Sequence, residues 1–296
     1  MKTAIIGLGL IGGSMAIDLR KAGLATTLVG VDSNPDHAAK ALQLGLVDAV
    51  SGLEDAMIEA DLVITAIPVN AIKSVLFKVL DHISATAIVI DTGSTKSMIC
   101  KAMENHAKRS QFVAAHPLAG TENSGPDAAF AGLFCQKTNI ICEKEKSSEN
   151  SLKAAARIFS ALDMRTIFMD PVEHDKHVAY VSHLSHVSAF LLGQTVLDME
   201  KDEKNIFNLA GSGFASTVRL AKSSPDMWAP IFEQNAEYLG QALLEYIMHL
   251  QKFQYHLMKR DVNELHRIMT GANHIRKVLE GLDVKQKPGQ LLENKS

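Results

Sequence analysis

Two rhythms divide the chain. As far as about residue 170, short unbroken apolar runs alternate with segments whose apolar residues recur at helical spacing. The runs predict strands at Thr3–Ile6, Thr27–Val31, Leu62–Ala66, Ala87–Asp91, Phe112–Ala115, Asn139–Cys142 and Arg165–Met169. Helical spacing fills most of the gaps, at Gly12–Ala22, Asp36–Leu44, Val69–Leu80 and Ser147–Leu162. Runs that are apolar throughout suit strands covered on both faces. With helices between them they predict an α/β fold with a doubly wound, mostly parallel sheet.

From Pro171 the strand pattern stops. Periodic stretches follow at Pro171–Glu200, Gly213–Ala221, Asp226–Lys259 and Asp261–Leu282, so the second half is expected to be all-helical. Asp170 suits an N-cap, Pro171 a first helical position and Glu173 the first turn. The stretch 226–259 carries apolar groups on more than one face, among them Trp228, Ile231, Phe232, Leu239, Leu243 and Ile247. A helix apolar nearly all round needs burial on all sides, which points to a homodimer built through this domain; a self-contained bundle is the alternative. The expected domains are 1–170 and 171–282, with the polar stretch 283–296 a disordered tail.

A length of 296 residues suits two such domains, and 47% hydrophobic with 21% charged residues is ordinary for a globular protein. The net charge of −3, with no dense Lys/Arg block, argues against nucleic acid as a partner. No apolar stretch reaches the roughly 18 to 20 residues that span a bilayer, so no membrane partner is expected. The apolar start is broken by glycines and followed by Asp18, Arg20 and Lys21, which reads as strand and turn rather than signal peptide. Cys100, Cys135 and Cys142 form no C-x-x-C pair and suit a reducing compartment. A cytoplasmic protein is expected.

The first strand runs into Gly7-Leu8-Gly9-Leu10-Ile11-Gly12, a G-x-G-x-x-G between strand and helix, which makes the sheet Rossmann-type. Gly7 permits the tight turn, Gly9 leaves room for a pyrophosphate, and Gly12 lets the helix pack close. The helix N-terminus offers unpaired N–H groups to phosphate, and Ser14 could add a hydroxyl. Asp32 follows Gly12 by 20 residues and ends the second strand, where a carboxylate meets ribose hydroxyls and repels a 2′-phosphate. NAD is therefore the expected cofactor, with Ala66, Ile67 and Pro68 lining the cleft. FAD shares the fingerprint.

Three clusters hold most of the remaining reactive side chains: Asp91-Thr92-Gly93-Ser94-Thr95-Lys96-Ser97, His116-Pro117-Leu118-Ala119-Gly120-Thr121-Glu122, and His174-Asp175 with Ser182-His183 and His186. The first two follow strand ends, where ligands bind in open α/β sheets. The third has histidines 174, 177, 183 and 186 but no accompanying acidic or cysteine set with metal spacing, so no metal is expected. These motifs in this order, continued by Thr217-Val218-Arg219-Leu220-Ala221-Lys222-Ser223-Ser224-Pro225-Asp226-Met227-Trp228, resemble the prephenate dehydrogenase family, over residues 1 to about 280.

The resemblance implies an NAD-dependent oxidative decarboxylation of prephenate, or of arogenate, in tyrosine biosynthesis. It implies His116 as the base for the ring hydroxyl and Ser94 as its partner on that hydroxyl. Arg219 then binds a substrate carboxylate, and His186, 33 residues earlier, is a second substrate-binding group. Ser182 and His183, on neighbouring helix faces, are expected to bind substrate as well, and Glu122 and Asp175 to form ion pairs near it. Trp228 matches a residue at the subunit interface. Ser216 stands where some relatives have an acidic residue, which puts a gating pair there in doubt. Plainer roles stand beside these: Ser94 as the N-cap of a helix over 95–106, Arg219 as a surface charge, Glu122 and Asp175 as caps. Neither a fused mutase nor a regulatory domain is expected, and any inhibition by tyrosine is then expected at the active site. Rival readings are a β-hydroxyacid-type dehydrogenase, which would need a catalytic lysine, and a catalytically silent NAD-binding redox sensor.

Overall fold

The computed structural model describes residues 1–202 and 205–286. Its strands are β1 Lys2–Ile6, β2 Thr27–Val31, β3 Ala49–Val50, β4 Leu62–Thr65, β5 Ile88–Asp91, β6 Phe112–Pro117, β7 Thr138–Cys142 and β8 Arg165–Met169. They form one sheet in the order β3-β2-β1-β4-β5-β6-β7-β8. Every pairing is parallel except β6 with β7. Between those two strands the chain makes only a short 3₁₀ turn, Pro126–Ala128, so no crossover helix carries it back to the starting edge. The two-residue edge strand β3 was not anticipated from the hydrophobic pattern.

The helices of the first half are α1 Leu10–Lys21, α2 Pro35–Gln43, α3 Leu53–Met57, α4 Val69–His82, α5 Ser97–Met103 and α6 Glu149–Ala161. Asn34 caps α2 by accepting from the amides of Asp36 and His37, and Ser148 caps α6 through the amide of Ser151. One sheet face packs Met15 and Leu19 of α1 and Ile158 and Phe159 of α6 against Ile5, Leu28, Ile64 and Val113. The other face packs Ile72 and Leu76 of α4 and Ile99 and Met103 of α5 against Ala4, Val63, Val89 and Ala114. All four residues of β4 are buried, the pattern read from its continuous apolar run.

The second half contains α7 Pro171–Val178, α8 Leu184–Asp202, α9 Ser212–Val218, α10 Pro225–Gln234, α11 Ala236–Met258, α12 Val262–Ala272 and α13 Ile275–Gln286. Asp170 accepts from the amides of Val172 and Glu173, with Pro171 at the first position, as expected from the residue types. A π turn at Ala179–His183 joins α7 to α8. The stretch 226–259 is not one helix: it breaks at Asn235, which leaves helical geometry at φ −108°. The stretch 261–282 divides likewise into α12 and α13, and α13 runs past Leu282 to Gln286. The remainder of the expected tail, 287–296, lies outside the described residues.

Two compact units are distinguished, Met1–Leu239 and the chain from Gly240 onward. The first holds the sheet and every candidate site residue. The second exposes long apolar side chains, with Met248 at 60%, Val262 at 72% and Met258 at 77%. Among the described residues no helix is long and apolar enough to cross a membrane.

Candidate active site

The glycine turn leaves β1 at Gly7, whose φ of +93° is open to glycine and strained for other residues. A Cβ there would lie 2.2 Å from the Ala66 carbonyl oxygen, so the turn after β1 is pressed against the one after β4. At Gly12 a Cβ would lie 1.9 Å from the Gly7 oxygen, which explains the third glycine by packing alone. Gly9 differs. A Cβ on it would meet nothing nearer than the Gly125 nitrogen at 4.0 Å, and its φ of −77° suits any residue. The protein itself does not require glycine at that position, whereas a close-lying pyrophosphate would.

Gly9 is also the N-cap of the twelve-residue α1 and supplies no side-chain cap, which leaves amides for a phosphate. Asp32 directly follows β2 and accepts from the amides of Leu8 and Asn34 at 2.8 and 2.9 Å. It is therefore tied to the glycine turn; the cap of α2 is Asn34. Pro68 precedes α4 as its N-cap residue, with Ala66 and Ile67 between it and β4. Leu10 and Ile11 open α1. These residues fit a dinucleotide with a free ribose diol. Ser14 does not join them: it is fully buried, and its hydroxyl accepts from the Phe130 amide at 3.1 Å.

Beyond β5 the chain turns at Asp91-Thr92-Gly93-Ser94. Asp91 and Lys96 are buried completely and form an ion pair, and Lys96 Nζ also donates to the Ala115 carbonyl at 2.8 Å. Ser94 sits half-buried in this turn. It is not a helix cap, because α5 begins only at Ser97. The cap comes from another element: both Asp175 oxygens accept from amides at the start of α5, Lys96 and Ser97, each at 2.8 Å. Asp175 is thus an interior group, 2% exposed, and the partner beside it is His174.

His116 lies within β6, one residue further into the strand than its pattern indicated, and opposite Ile140 of β7. Its Nδ1 lies 2.8 Å from His174 Nε2, and His174 Nδ1 lies 2.8 Å from Asp175 Oδ1. Burial pushes His116 well below the ordinary histidine range, aided by the neighbouring His174, Lys96 and His183. His183, carried on the π turn, is pushed down to about 4, chiefly by burial. Asn235 explains the helix break near it: its Nδ2 donates to the Asp175 carbonyl at 2.7 Å and lies 3.0 Å from His183 Nδ1.

A second group gathers nearer the surface. Arg219 follows α9 and meets Glu122 at 2.8 Å, with 51% and 24% of their side chains exposed. His186 stacks on Trp228 with ring centroids 3.5 Å apart, and its Nδ1 lies 3.0 Å from the Ser182 carbonyl oxygen. Burial lowers His186 below its ordinary value, Ser182 opposes that, and the Arg219 charge adds to it. Trp228 is itself 8% exposed within this one chain, against His183, His186 and Phe232. It packs in the core of this chain, beside the interface role that the resemblance implies for it. Lys96, His174 and Asn235 were given no role from sequence; only the adjacent His174-Asp175 pair and the lysine ending D-x-G-S-x-K hinted at one. Among the described residues no three His, Cys, Asp or Glu side chains are grouped as metal ligands would be.

Two family models match the chain. One, described as prephenate dehydrogenase, nucleotide-binding domain, covers residues 15–168; the other, prephenate dehydrogenase, dimerization domain, covers 170–271. A cyclohexadienyl dehydrogenase of Zymomonas mobilis is 33% identical, over 87% of this chain and 89% of its own length. A prephenate dehydrogenase of Bacillus subtilis is 31% identical, over 97% and 78%. A solved prephenate dehydrogenase from A. aeolicus, in complex with hydroxyphenyl propionate and NAD⁺, superposes with a TM-score of 0.85 at 31% identity, covering 94% of this chain and 97% of that one.

Proposed function

The chain belongs to the prephenate dehydrogenase family of NAD-dependent oxidoreductases, and from that premise we propose how its residues divide the work. The reaction is oxidative decarboxylation of prephenate to 4-hydroxyphenylpyruvate. Prephenate is a cyclohexadienol with a ring carboxylate and a pyruvyl side chain. Oxidation of its ring hydroxyl gives a dienone placed to lose CO₂, and aromatisation drives that loss. Bound NAD⁺ supplies the hydride acceptor.

The observation that carries the assignment of the base is His116, neutral and buried at the end of a central strand with one ring nitrogen engaged by His174. A neutral imidazole on a rigid support can take the hydroxyl proton. Ser94, in the turn after β5, shares the hydroxyl. Gly7, Gly9, Gly12 and Asp32 hold the dinucleotide. Arg219 receives a substrate carboxylate in place of Glu122, its planar fork suiting that geometry. His186 and Ser182 line the same side. The domain boundary falls at residues 170 and 171, the helical domain pairs two copies through its exposed apolar faces, and the enzyme works in the cytoplasm.

Arogenate is a second reading for the substrate, supported by the 33% identical relative, whose name specifies only the cyclohexadienyl ring that both compounds contain. The test is NADH or NADPH formation by purified protein with each cofactor and each of prephenate and arogenate. Turnover of prephenate with NAD⁺ is expected. Turnover of arogenate alone moves the substrate and keeps the mechanism; NAD⁺ binding without either turnover overturns the assignment.

A further inference from the structure

The hydrogens of the buried chain His116–His174–Asp175 can be placed one at a time. The Asp175 carboxylate accepts from the amides of Lys96 and Ser97 and lies against His174 Nδ1, each at 2.8 Å. Burial raises this carboxyl, but the hydrogen bonds from His174, Ser97 and Lys96 outweigh it and hold Asp175 below its ordinary range. An ionised carboxylate only accepts, so His174 Nδ1 carries its hydrogen. A neutral imidazole has one N–H, so His174 Nε2 is an acceptor. The atom 2.8 Å from it is His116 Nδ1, which must therefore donate. The lone pair of neutral His116 is left on Nε2.

We propose that His174 and Asp175 are positioning residues that hold His116 in its Nδ1–H tautomer, making Nε2 the atom that takes the substrate's hydroxyl proton. The proposal rests on the reading of His116 as the base and names the atom and the groups that select it. In the step, the hydroxyl O–H bond breaks and its proton bonds to Nε2. The electron pair of that bond becomes the carbonyl π bond as the ring C–H bond breaks and its pair leaves with the hydride, for which NAD⁺, when bound, would be the acceptor. His116, now an imidazolium, keeps Nδ1–H directed at His174, and Asp175 lies behind it to stabilise the charge.

The surroundings leave the chain little freedom. His174 is 0% and Asp175 2% exposed. Asn235 grips α7 through the Asp175 carbonyl, and Lys96 grips β6 through the Ala115 carbonyl, next to His116. The charged and titratable groups acting on His116 are His174, Lys96 and His183, and none supplies a competing acceptor for Nδ1.

Two measurements on the full-length enzyme test this. Imidazole ¹⁵N NMR of the free protein, assigned with His116→Asn, is expected to show His116 protonated at Nδ1 and bare at Nε2; a native Nε2–H overturns the proposal. This readout needs no turnover, so it stands apart from the assignment of function, which fails separately if neither prephenate nor arogenate is oxidised. In kinetics, His174→Leu is expected to lower kcat by about 10²-fold with KM moved less than about threefold. His174→Gln, whose Oε1 can accept the same N–H, is expected to recover kcat to within about tenfold of the native value. Native kcat in His174→Leu, or a glutamine variant no better than the leucine one, overturns the positioning role. Should the leucine variant fail to fold, the NMR tautomer and the glutamine variant decide it.

Discussion

The Arg219–Glu122 pair and the His116–His174–Asp175 chain belong to one unit and face opposite conditions. The first is a single contact at 2.8 Å between side chains 51% and 24% exposed. The second is closed from solvent, with His174 at 0% and every polar atom of the Asp175 carboxylate engaged. Exposed ion pairs exchange partners at little cost, so Arg219 can give up Glu122 for an incoming carboxylate. A buried chain cannot reorganise without leaving a desolvated group unpaired, so it holds a proton at a chosen atom. The proposed capture of substrate charge and the proposed control of its proton thus fall on surfaces of different stiffness.

Breaking the buried side should do the most harm. His116→Asn is expected to reduce kcat by about 10² to 10⁴-fold while NAD⁺ affinity, read by titration, stays near native. Turnover close to native would remove His116 from the chemistry. Next, Lys96→Met strips the partner from a fully buried Asp91 and is expected to cost about 3 to 5 kcal/mol in urea unfolding. A loss near zero would mean that the interior there is wetter than its burial indicates.

Acid should also act on the buried side. His183 is held near 4 in the fold, against an ordinary value of 6.5. Between those values the unfolded chain takes up a proton that the folded chain refuses, so stability falls as pH drops from about 6.5 to 4 and then levels. The total is about 3 kcal/mol at 1.36 kcal/mol per unit. His183→Asn should flatten that part of the stability profile; an unchanged slope would assign it to other groups.

On the exposed side, Arg219→Ala is expected to raise substrate KM by about 10 to 100-fold with a smaller change in kcat, as loss of a charge-assisted contact does. If kcat falls as much as KM rises, Arg219 acts in the transition state and the contrast between the two regions narrows.

The dinucleotide cradle was legible because each part is local. Gly7 and Gly12 are demanded by a turn and a helix packed within a few residues, and Asp32 by the end of the next strand. His116 and Arg219 were singled out through motifs that resemble a family. Asp175 was expected in an ion pair near the substrate because the motif around it resembles a family, with a plain cap as the alternative. Nothing near it in the chain reveals that the amides it accepts from lie 79 and 78 residues away. The resemblance gave Trp228 an interface role, and its packing on His186 and Phe232 within one chain could not be read from an apolar face, which does not state which surface will cover it.

By itself, then, the sequence determined the β-α alternation, the glycine turn, the capped start at Asp170-Pro171 and the helical second half. Apolar spacing, backbone sterics and capping act over a few residues and are written there directly. Only the tertiary structure decided that β7 runs antiparallel, that the helix breaks at Asn235, and that His116 meets His174 across 58 residues. Those outcomes depend on which distant groups satisfy a buried donor or acceptor, and that choice exists only once the sheet and helices have packed.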